Sequence, residues 1–246
     1  MIGSLFFDII MQLKSYIVVK NFNSQTMKNT FLLILLIIAL HSNSQVYTST
    51  QTEEGKELVH KIFIDDHYLI HTVYANDPPQ FIKTRGGYFK QDGDTYVVSL
   101  EFNSNFEIDS LKEITVEKTP DWKNVSLESQ PLEGKWLMGG RVADDGTQNR
   151  RNTQGPRKTL KLLLDGHFQW TAYHTETMKF SGTGGGRYNA QEGIYSESIE
   201  YFSRDNSRVS MTLDFEYEQD GDDWFHKGYS STGNPMHEIW VKRKNK

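Results

Sequence analysis

An internal repeat is the feature that most constrains the fold of this chain. Residues 61–75 (KIFIDDHYLIHTVYA) align without gaps on residues 161–175 (KLLLDGHFQWTAYHT), 100 positions later. After one dropped residue, the similarity continues 99 positions apart and includes shared glycine, tyrosine, serine and glutamate positions. Two copies are too few for a solenoid, which needs at least three repeats. The sequence therefore predicts two tandem domains, a shorter first copy at 45–131 and a better preserved second copy at 132–246.

The second copy consists of short apolar segments separated by turns. Alternation of apolar and polar residues is clear from Val209 to Glu218, which is typical of an antiparallel sheet with one buried face. Asp165-Gly166 is a strong hairpin signal. The sequence predicts an all-β fold with eight strands in the second copy: Lys135–Val142, Thr159–Leu164, His167–His174, Lys179–Tyr188, Gly193–Phe202, Arg208–Glu218, Asp223–Tyr229 and His237–Arg243.

Closure of such a meander into an up-and-down barrel would remove its exposed edges, and a β-sandwich is the alternative. Glycines within a strand often mark a bulge or a sharp bend, so Gly184 and Gly185 are assigned structural roles. The first copy has no clear equivalent of the first of the eight strands. We expect the two copies to pack closely, because no long linker separates them.

The N-terminal region reads as a targeting segment. Ten apolar residues, Phe31–Leu40, follow Lys28 and precede small residues at the −3 and −1 positions of a cut before Gln45. This pattern predicts a secretory signal peptide at 27–44, and it is too short to span a membrane once in helical form. Residues 1–26 are interpreted as an over-extended start, or as part of a longer leader. The predicted location is secreted or periplasmic, with an uncleaved membrane anchor as the alternative.

Composition excludes several functional classes. The chain has no cysteine, which excludes disulfides, cysteine nucleophiles and thiolate metal sites. Its net charge is −5, which argues against nucleic acid as a partner. No nucleophile elbow, phosphate-binding loop or zinc-protease motif is present, so neither catalytic residues, nor a metal site, nor a cofactor is predicted.

Glu197 is the most informative candidate for a ligand site. Alternation places it on one face with Tyr195, Ile199 and Tyr201, and this apolar face should point into the barrel. A buried carboxylate is costly unless it is paired. The candidate partners are Arg151, Arg157, Arg187 and His226. Either a structural ion pair or a polar anchor in a ligand cavity would satisfy these constraints.

Other residues complete the candidate cavity. His226 has the same strand parity as the apolar Trp224, so it too is expected inside the barrel. Trp170 and, less directly, Trp240 are further lining candidates. Basic residues flank the loop 143–155, where Arg151 and Arg157 could bind an anion. His67 and His167 are expected to be exposed hairpin residues.

Gly134-Lys135-Trp136 opens the second copy, and Lys242-Arg243 closes it. Together with Asp165-Gly-His-Phe-Gln-Trp and Gly182-Thr-Gly-Gly-Gly, this resembles uncharacterised bacterial "membrane or secreted" proteins with duplicated lipocalin-like domains of the calycin type. The resemblance implies two lipocalin-like β-barrels. It also implies that Gly134 and Trp136 are structural, with a basic side chain such as that of Arg243 covering the Trp136 ring in a cation–π contact. It further implies that the loop 143–155 lies over the barrel mouth.

The preferred hypothesis is an exported, non-enzymatic protein that binds a small, largely apolar molecule inside the second barrel. The alternative is an envelope module with filled barrels whose surface binds a protein or a glycan. An enzyme, such as an isomerase, would need a perturbed carboxylate or histidine facing the cavity. A ligand-binding barrel should contain a connected cavity of a few hundred Å³, whereas an interaction module should not.

Overall fold

The structure is a computed structural model that describes residues 45–244. The predicted leader at 1–26 and the predicted signal peptide at 27–44 lie outside the described residues. Within 45–244, no helix has both the length and the apolar character that crossing a bilayer requires. The described chain is nearly all β, as the alternation predicted.

The first copy forms one antiparallel sheet. In chain order its strands are β1 (Gln45–Glu53), β2 (Lys56–Asp65), β3 (Tyr68–Asn76), β4 (Pro79–Asp92), β5 (Thr95–Asn103), β6 (Glu113–Glu117) and β7 (Lys123–Asn124). A one-turn helix, α1 (Phe106–Asp109), links β5 to β6. The order across the sheet is β6-β5-β4-β3-β2-β1-β7.

The second copy forms a nine-stranded sheet that closes on itself. Its strands are β8 (Gly134–Val142), β9 (Gln148–Arg150), β10 (Arg157–Leu164), β11 (His167–His174), β12 (Phe180–Gln191), β13 (Ile194–Phe202), β14 (Thr212–Asp220), β15 (Asp223–Tyr229) and β16 (Pro235–Lys242). Closure occurs because β8 pairs with β16 on one side and with β10 on the other. The closed antiparallel barrel and the eight predicted strands are confirmed, and β9 is an additional short strand paired with β8. The strand predicted to begin at Arg208 begins at Thr212 instead, because Asn206–Arg208 form a 3-10 turn.

The first copy differs from the prediction in two respects. It has an equivalent of the opening strand, because β1 pairs with β2 just as β8 pairs with β10. It is an open sheet rather than a barrel, since β6 and β7 are its two edges. Only residues 118–122 connect these two strands, which leaves no room for an equivalent of β15. Without an equivalent of β15, the gap between β6 and β7 cannot be bridged.

From β2 to β6 and from β10 to β14, the two sheets repeat the same strand pairing with a spacing of 99 residues. Thr84 and Thr183 accept backbone bonds from Ser104 and Ser203, respectively, and each threonine N–H donates to the hydroxyl of the same serine. The N–H groups of Phe89 and Tyr188 likewise donate to the carbonyls of residues 67 and 166. The alignment of 61–75 on 161–175 was therefore wrong by one position, because apolar strand residues can be matched in either register.

A β-bulge occurs at the same place in both copies. Gly86 pairs with Phe102 and Gly87 with Leu100, so Glu101 is the extra residue. In the barrel, the extra residue between the partners of Gly185 and Gly186 is Glu200. This confirms a bulge at the glycine run.

The bulge reverses the alternation at the end of β13. Tyr201 faces the first sheet, where it packs with Val59 and Tyr74, and Phe202 lines the barrel interior instead. The expected inward position of Tyr201 was wrong, because an extra residue shifts the period-2 pattern by one.

The outer face of the barrel packs against the first sheet. Leu160 and Leu162 of β10 lie in one buried cluster with Phe63 and Ile70 of the first sheet. The leucine-rich strand β10 is thus buried on both sides, because one side faces the barrel interior and the other faces the first sheet.

The contacts between the copies are reciprocal. Tyr173 donates a hydrogen bond to Glu101 at 2.9 Å, and its counterpart Tyr74 donates to Glu200 at 3.3 Å. Each bulge glutamate also receives a cation from the opposite copy: Arg243 lies 2.7 Å from Glu101, and Lys61 lies 2.7 Å from Glu200. Packing of the same patch from both copies is the arrangement of a two-fold symmetric dimer interface, realised here within one chain.

Gly87→Ala and Gly186→Ala should each lower the free energy of unfolding by about 2 kcal/mol or more. A Cβ at either position would overlap the carbonyl oxygen of Ser99 or Ser198, and backbone atoms cannot move aside cheaply. Urea denaturation measures the effect. Gly155→Ala is the matched control, since the nearest heavy atom to its Cβ would be 3.9 Å away. Equal stability of the control and the two variants would contradict the assigned role.

Candidate functional site

The barrel contains a cavity of about 440 Å³. All eight barrel strands contribute residues to its wall, from Met138 of β8 to Trp240 of β16. The cavity occupies one half of the barrel and opens at the end where β8, β11, β13 and β15 finish. Its volume is in the range of small-molecule sites.

Aromatic side chains fill the other half of the barrel. Trp136 and Trp224 are fully buried, with ring centroids 5.6 Å apart in an edge-to-face contact. Tyr195 lies 5.0 Å from the Trp224 ring, and Trp240 stacks on it at 6.0 Å. These rings, with Leu132, belong to one buried cluster. The barrel is therefore plugged at one end, and the cavity has a floor.

A buried ion pair forms part of that floor. The Lys161 Nζ lies 2.7 Å from Glu197 Oε1, and the two side chains are only 4% and 7% exposed. Tyr195 donates its hydroxyl to the same oxygen at 2.8 Å. The ammonium also lies 5.1 Å from the Trp224 ring and 4.8 Å from the Trp240 ring. Cation–π contacts and the ion pair together offset the cost of removing this charge from water.

A second polar pair lies beside it. His226 is 1% exposed, and neither of its ring nitrogens has a hydrogen-bond partner among the described residues. Its Nδ1 lies 3.7 Å from Glu238 Oε2, to which Trp240 Nε1 donates at 3.2 Å. Burial and the positive charge of Lys161 lower the pKa of His226, so the ring is neutral at neutral pH. A neutral imidazole offers one donor and one acceptor to a ligand.

Glu238 remains ionised in the same environment. Burial opposes its ionisation, yet its pKa is lowered because the His226 ring and the cations Lys161 and Arg141 are close to it. The floor thus holds an ammonium, two carboxylates and a neutral imidazole.

The wall above this floor is apolar. Trp170 and Phe202 meet edge to face at 5.7 Å, and Phe168 and Leu213 extend the surface. Gly184 makes room for these two rings, because a Cβ there would lie 2.8 Å from both Phe202 and Trp170. Glycine at this position therefore shapes the cavity as well as the strand.

Arginines surround the open end of the cavity: Arg141, Arg151, Arg204 and Arg208. The Arg204 guanidinium lies 5.5 Å from the Trp170 ring and donates twice to the Ser181 carbonyl. Arg208 donates to Asp205 at 2.9 Å. Two of these side chains are thereby held beside the apolar wall.

Four of the predicted ligand-site residues line the cavity together, namely Trp170, Glu197, His226 and Trp240, and Arg151 lies at its mouth. Arg157 does not line it. Arg157 borders a separate cavity of about 270 Å³, shared with Arg151. The reason is that Arg157 stands at the very start of β10, beyond Thr159, which is the first residue of this strand to line the cavity.

The partner of Glu197 was not among the four candidates. Lys161 holds that position, and Arg187 pairs with Glu200 at 3.3 Å on the outside of the barrel. Strand parity on β10 placed Lys161 on the same face as Leu163. That signal was overlooked because the leucines on the opposite side of β10 make that side look like the core of the barrel.

The expectation that His167 is an exposed hairpin residue was wrong. His167 is 2% exposed, and its Nε2 contacts the Val125 carbonyl oxygen at 2.9 Å, because the segment between the two copies covers the hairpin. Burial and the charge of Lys61 lower the pKa of His167 to about 4. His67, in contrast, is exposed as expected.

The basic residue over Trp136 is Lys242, 4.5 Å from the ring, rather than Arg243. Arg243 follows Lys242 directly and reaches the first copy, where it binds Glu101. Gly134 has the structural role predicted for it, since its φ is +117° and a Cβ would lie 2.7 Å from Lys242 Nζ.

Neither a family model nor a curated protein matches the sequence in comparisons with known proteins. The barrel is therefore established by its own geometry. Within residues 45–244, no three histidine or carboxylate side chains are placed to share a metal ion.

Glu197→Gln should lower the free energy of unfolding by about 3–5 kcal/mol, because it leaves the buried Lys161 ammonium without its counter-charge. The double variant Lys161→Met/Glu197→Leu should recover most of this loss, since it removes both buried charges together. Urea denaturation of the single and double variants tests both expectations.

The matched control is Arg150→Gln, which breaks the more exposed 2.7 Å ion pair with Asp223 and should cost less than about 1 kcal/mol. A Glu197→Gln variant as stable as this control would show that the floor does not depend on the ion pair.

Proposed function

We propose that this chain is an exported, non-enzymatic binding protein that holds a small, largely apolar molecule in the cavity of its C-terminal barrel. The observation that carries the proposal is a cavity of about 440 Å³ with an apolar wall and a polar floor. Ligand sites generally combine apolar walls with a few placed polar groups.

The apolar wall would supply most of the binding free energy. A ligand whose binding removes roughly 250 Å² of apolar surface from water gains about 6 kcal/mol of binding free energy at 25 cal/mol per Å². Loss of translational and rotational freedom offsets part of that gain. The site is largely preformed, because the aromatic plug and the ion pair below it fix the positions of the floor residues.

His226 would be the polar anchor. Its two buried nitrogens have no described partner, and leaving buried polar atoms unpaired is costly. A hydroxyl or carbonyl group at the inner end of the ligand would satisfy one of them.

The two alternatives are less well supported. A module with filled barrels does not account for the cavity in the C-terminal barrel. An enzyme would have the perturbed histidine and carboxylate that it needs in the cavity, namely His226 and Glu238, but the pKa values of both are lowered, that is, moved away from the range near neutrality where proton transfer is most efficient.

Two sequence features support the remaining parts of the proposal. The apolar segment Phe31–Leu40, with its flanking lysine and small residues, supports export. The eight-stranded barrel and the motifs around Trp136 and the glycine run support a lipocalin-like assignment.

The neutral fluorophore N-phenyl-1-naphthylamine tests the proposal. Its emission should rise on binding to residues 45–246, and Ala172→Phe should weaken binding at least about tenfold, because the added ring occupies the cavity beside Trp170. Val97→Phe on the exposed face of β5 is the matched control and should bind as the parent does. Absence of saturable binding, or equal affinity of the two variants, would contradict an internal site.

A further inference from the structure

Charge around the cavity is opposite in sign to that of the whole chain. Five cationic side chains line the cavity against three carboxylates, whereas the complete sequence has a net charge of −5. The cations are Arg141, Arg151, Lys161, Arg204 and Arg208, and the carboxylates are Glu197, Asp205 and Glu238. A cavity for a wholly neutral ligand does not need this excess.

The excess positive charge lies at the mouth. Lys161 is neutralised by Glu197 on the floor, and Arg208 is paired with Asp205 at 2.9 Å. Arg151 and Arg204 form no ion pair with any carboxylate of residues 45–244, and the side chain of Arg141 is 64% exposed and 3.7 Å from Glu238. The guanidinium groups that remain available therefore lie where the cavity meets solvent.

The depth of each charge fixes the direction of a charged ligand. Lys161 and Glu197 cancel each other on the floor, so Glu238 leaves a net negative charge there that would repel an anion placed deep in the barrel, and neutral His226 would not compensate. At the mouth, Arg204 is held beside the Trp170 ring by its bonds to Ser181, so a charged group there adjoins an apolar surface. Guanidinium groups suit carboxylate and phosphate oxygens because they can donate two parallel hydrogen bonds.

We propose that the ligand of this barrel is an anionic amphiphile, whose acidic group lies at Arg151 and Arg204 while its apolar part extends inward along Trp170 and Phe202. This inference rests on the proposed function and specifies its ligand class. The acidic group is a carboxylate or a phosphate, and the inner end of the molecule reaches His226.

The test compares three ligands that differ only in their head group. Calorimetric titration at pH 8 and low salt should show dodecanoate binding at least about tenfold more tightly than dodecanol, with dodecylamine the weakest. Raising the salt concentration should reduce the advantage of dodecanoate and leave dodecanol unchanged, because only the charged pair is screened. Dodecyl phosphate in place of dodecanoate distinguishes a phosphate from a carboxylate preference.

Arg151→Gln/Arg204→Gln should reduce the preference for dodecanoate over dodecanol to less than about threefold, because it removes the two guanidinium groups that would pair with the acidic group. Arg157→Gln is the matched control, since it removes a neighbouring arginine that does not line the cavity. Thermal unfolding by circular dichroism verifies that each variant is folded.

Equal affinity for dodecanoate and dodecanol, or an unchanged preference in the double variant, would overturn the anionic ligand. The same holds if the dodecyl series fails to bind while N-phenyl-1-naphthylamine still does, and the proposed function then stands. Failure of both the dodecyl series and the neutral fluorophore would overturn the proposed function itself.

Discussion

Pairing of β8 with both β10 and β16 is the constraint on which the rest of the structure depends. It converts a meander of strands into a closed barrel with an inside that is removed from water. Once the inside exists, a charge such as Lys161 must find a partner there, and Glu197 supplies it. The first sheet lacks the strand that would close it, and Ile62 and Val98 of a buried apolar cluster stand where the barrel has Lys161 and Glu197.

The two sheets bury apolar residues of their outer faces against each other. The leucines on the outside of β10 would be exposed on an isolated barrel, and the first sheet covers them. The reciprocal bonds of Tyr74 and Tyr173 to Glu200 and Glu101 then fix the relative position of the copies. Because the bulge glutamates are extra residues, they leave the strand ladder and can reach across the interface.

One half of the barrel interior stabilises the fold, and the other half is open to a ligand. Aromatic rings fill the closed half, and the cavity occupies the open half. The polar layer of Lys161, Glu197, His226 and Glu238 lies at the boundary between them. This arrangement lets one part of the core remain well packed while the other part stays available for a ligand.

The sequence by itself determined the eight strands of the barrel, the bulge at the glycine run, and the inward position of Trp170, Glu197 and His226. These features follow from local properties, namely alternation, turn residues and the conformational freedom of glycine. The tertiary structure decided the rest: which cation pairs with Glu197, that Lys242 rather than Arg243 covers Trp136, and that the first copy stays open. Lys161 shows the reason. Its strand is buried on both sides, and only the packing against the first sheet reveals which side is the inside of the barrel.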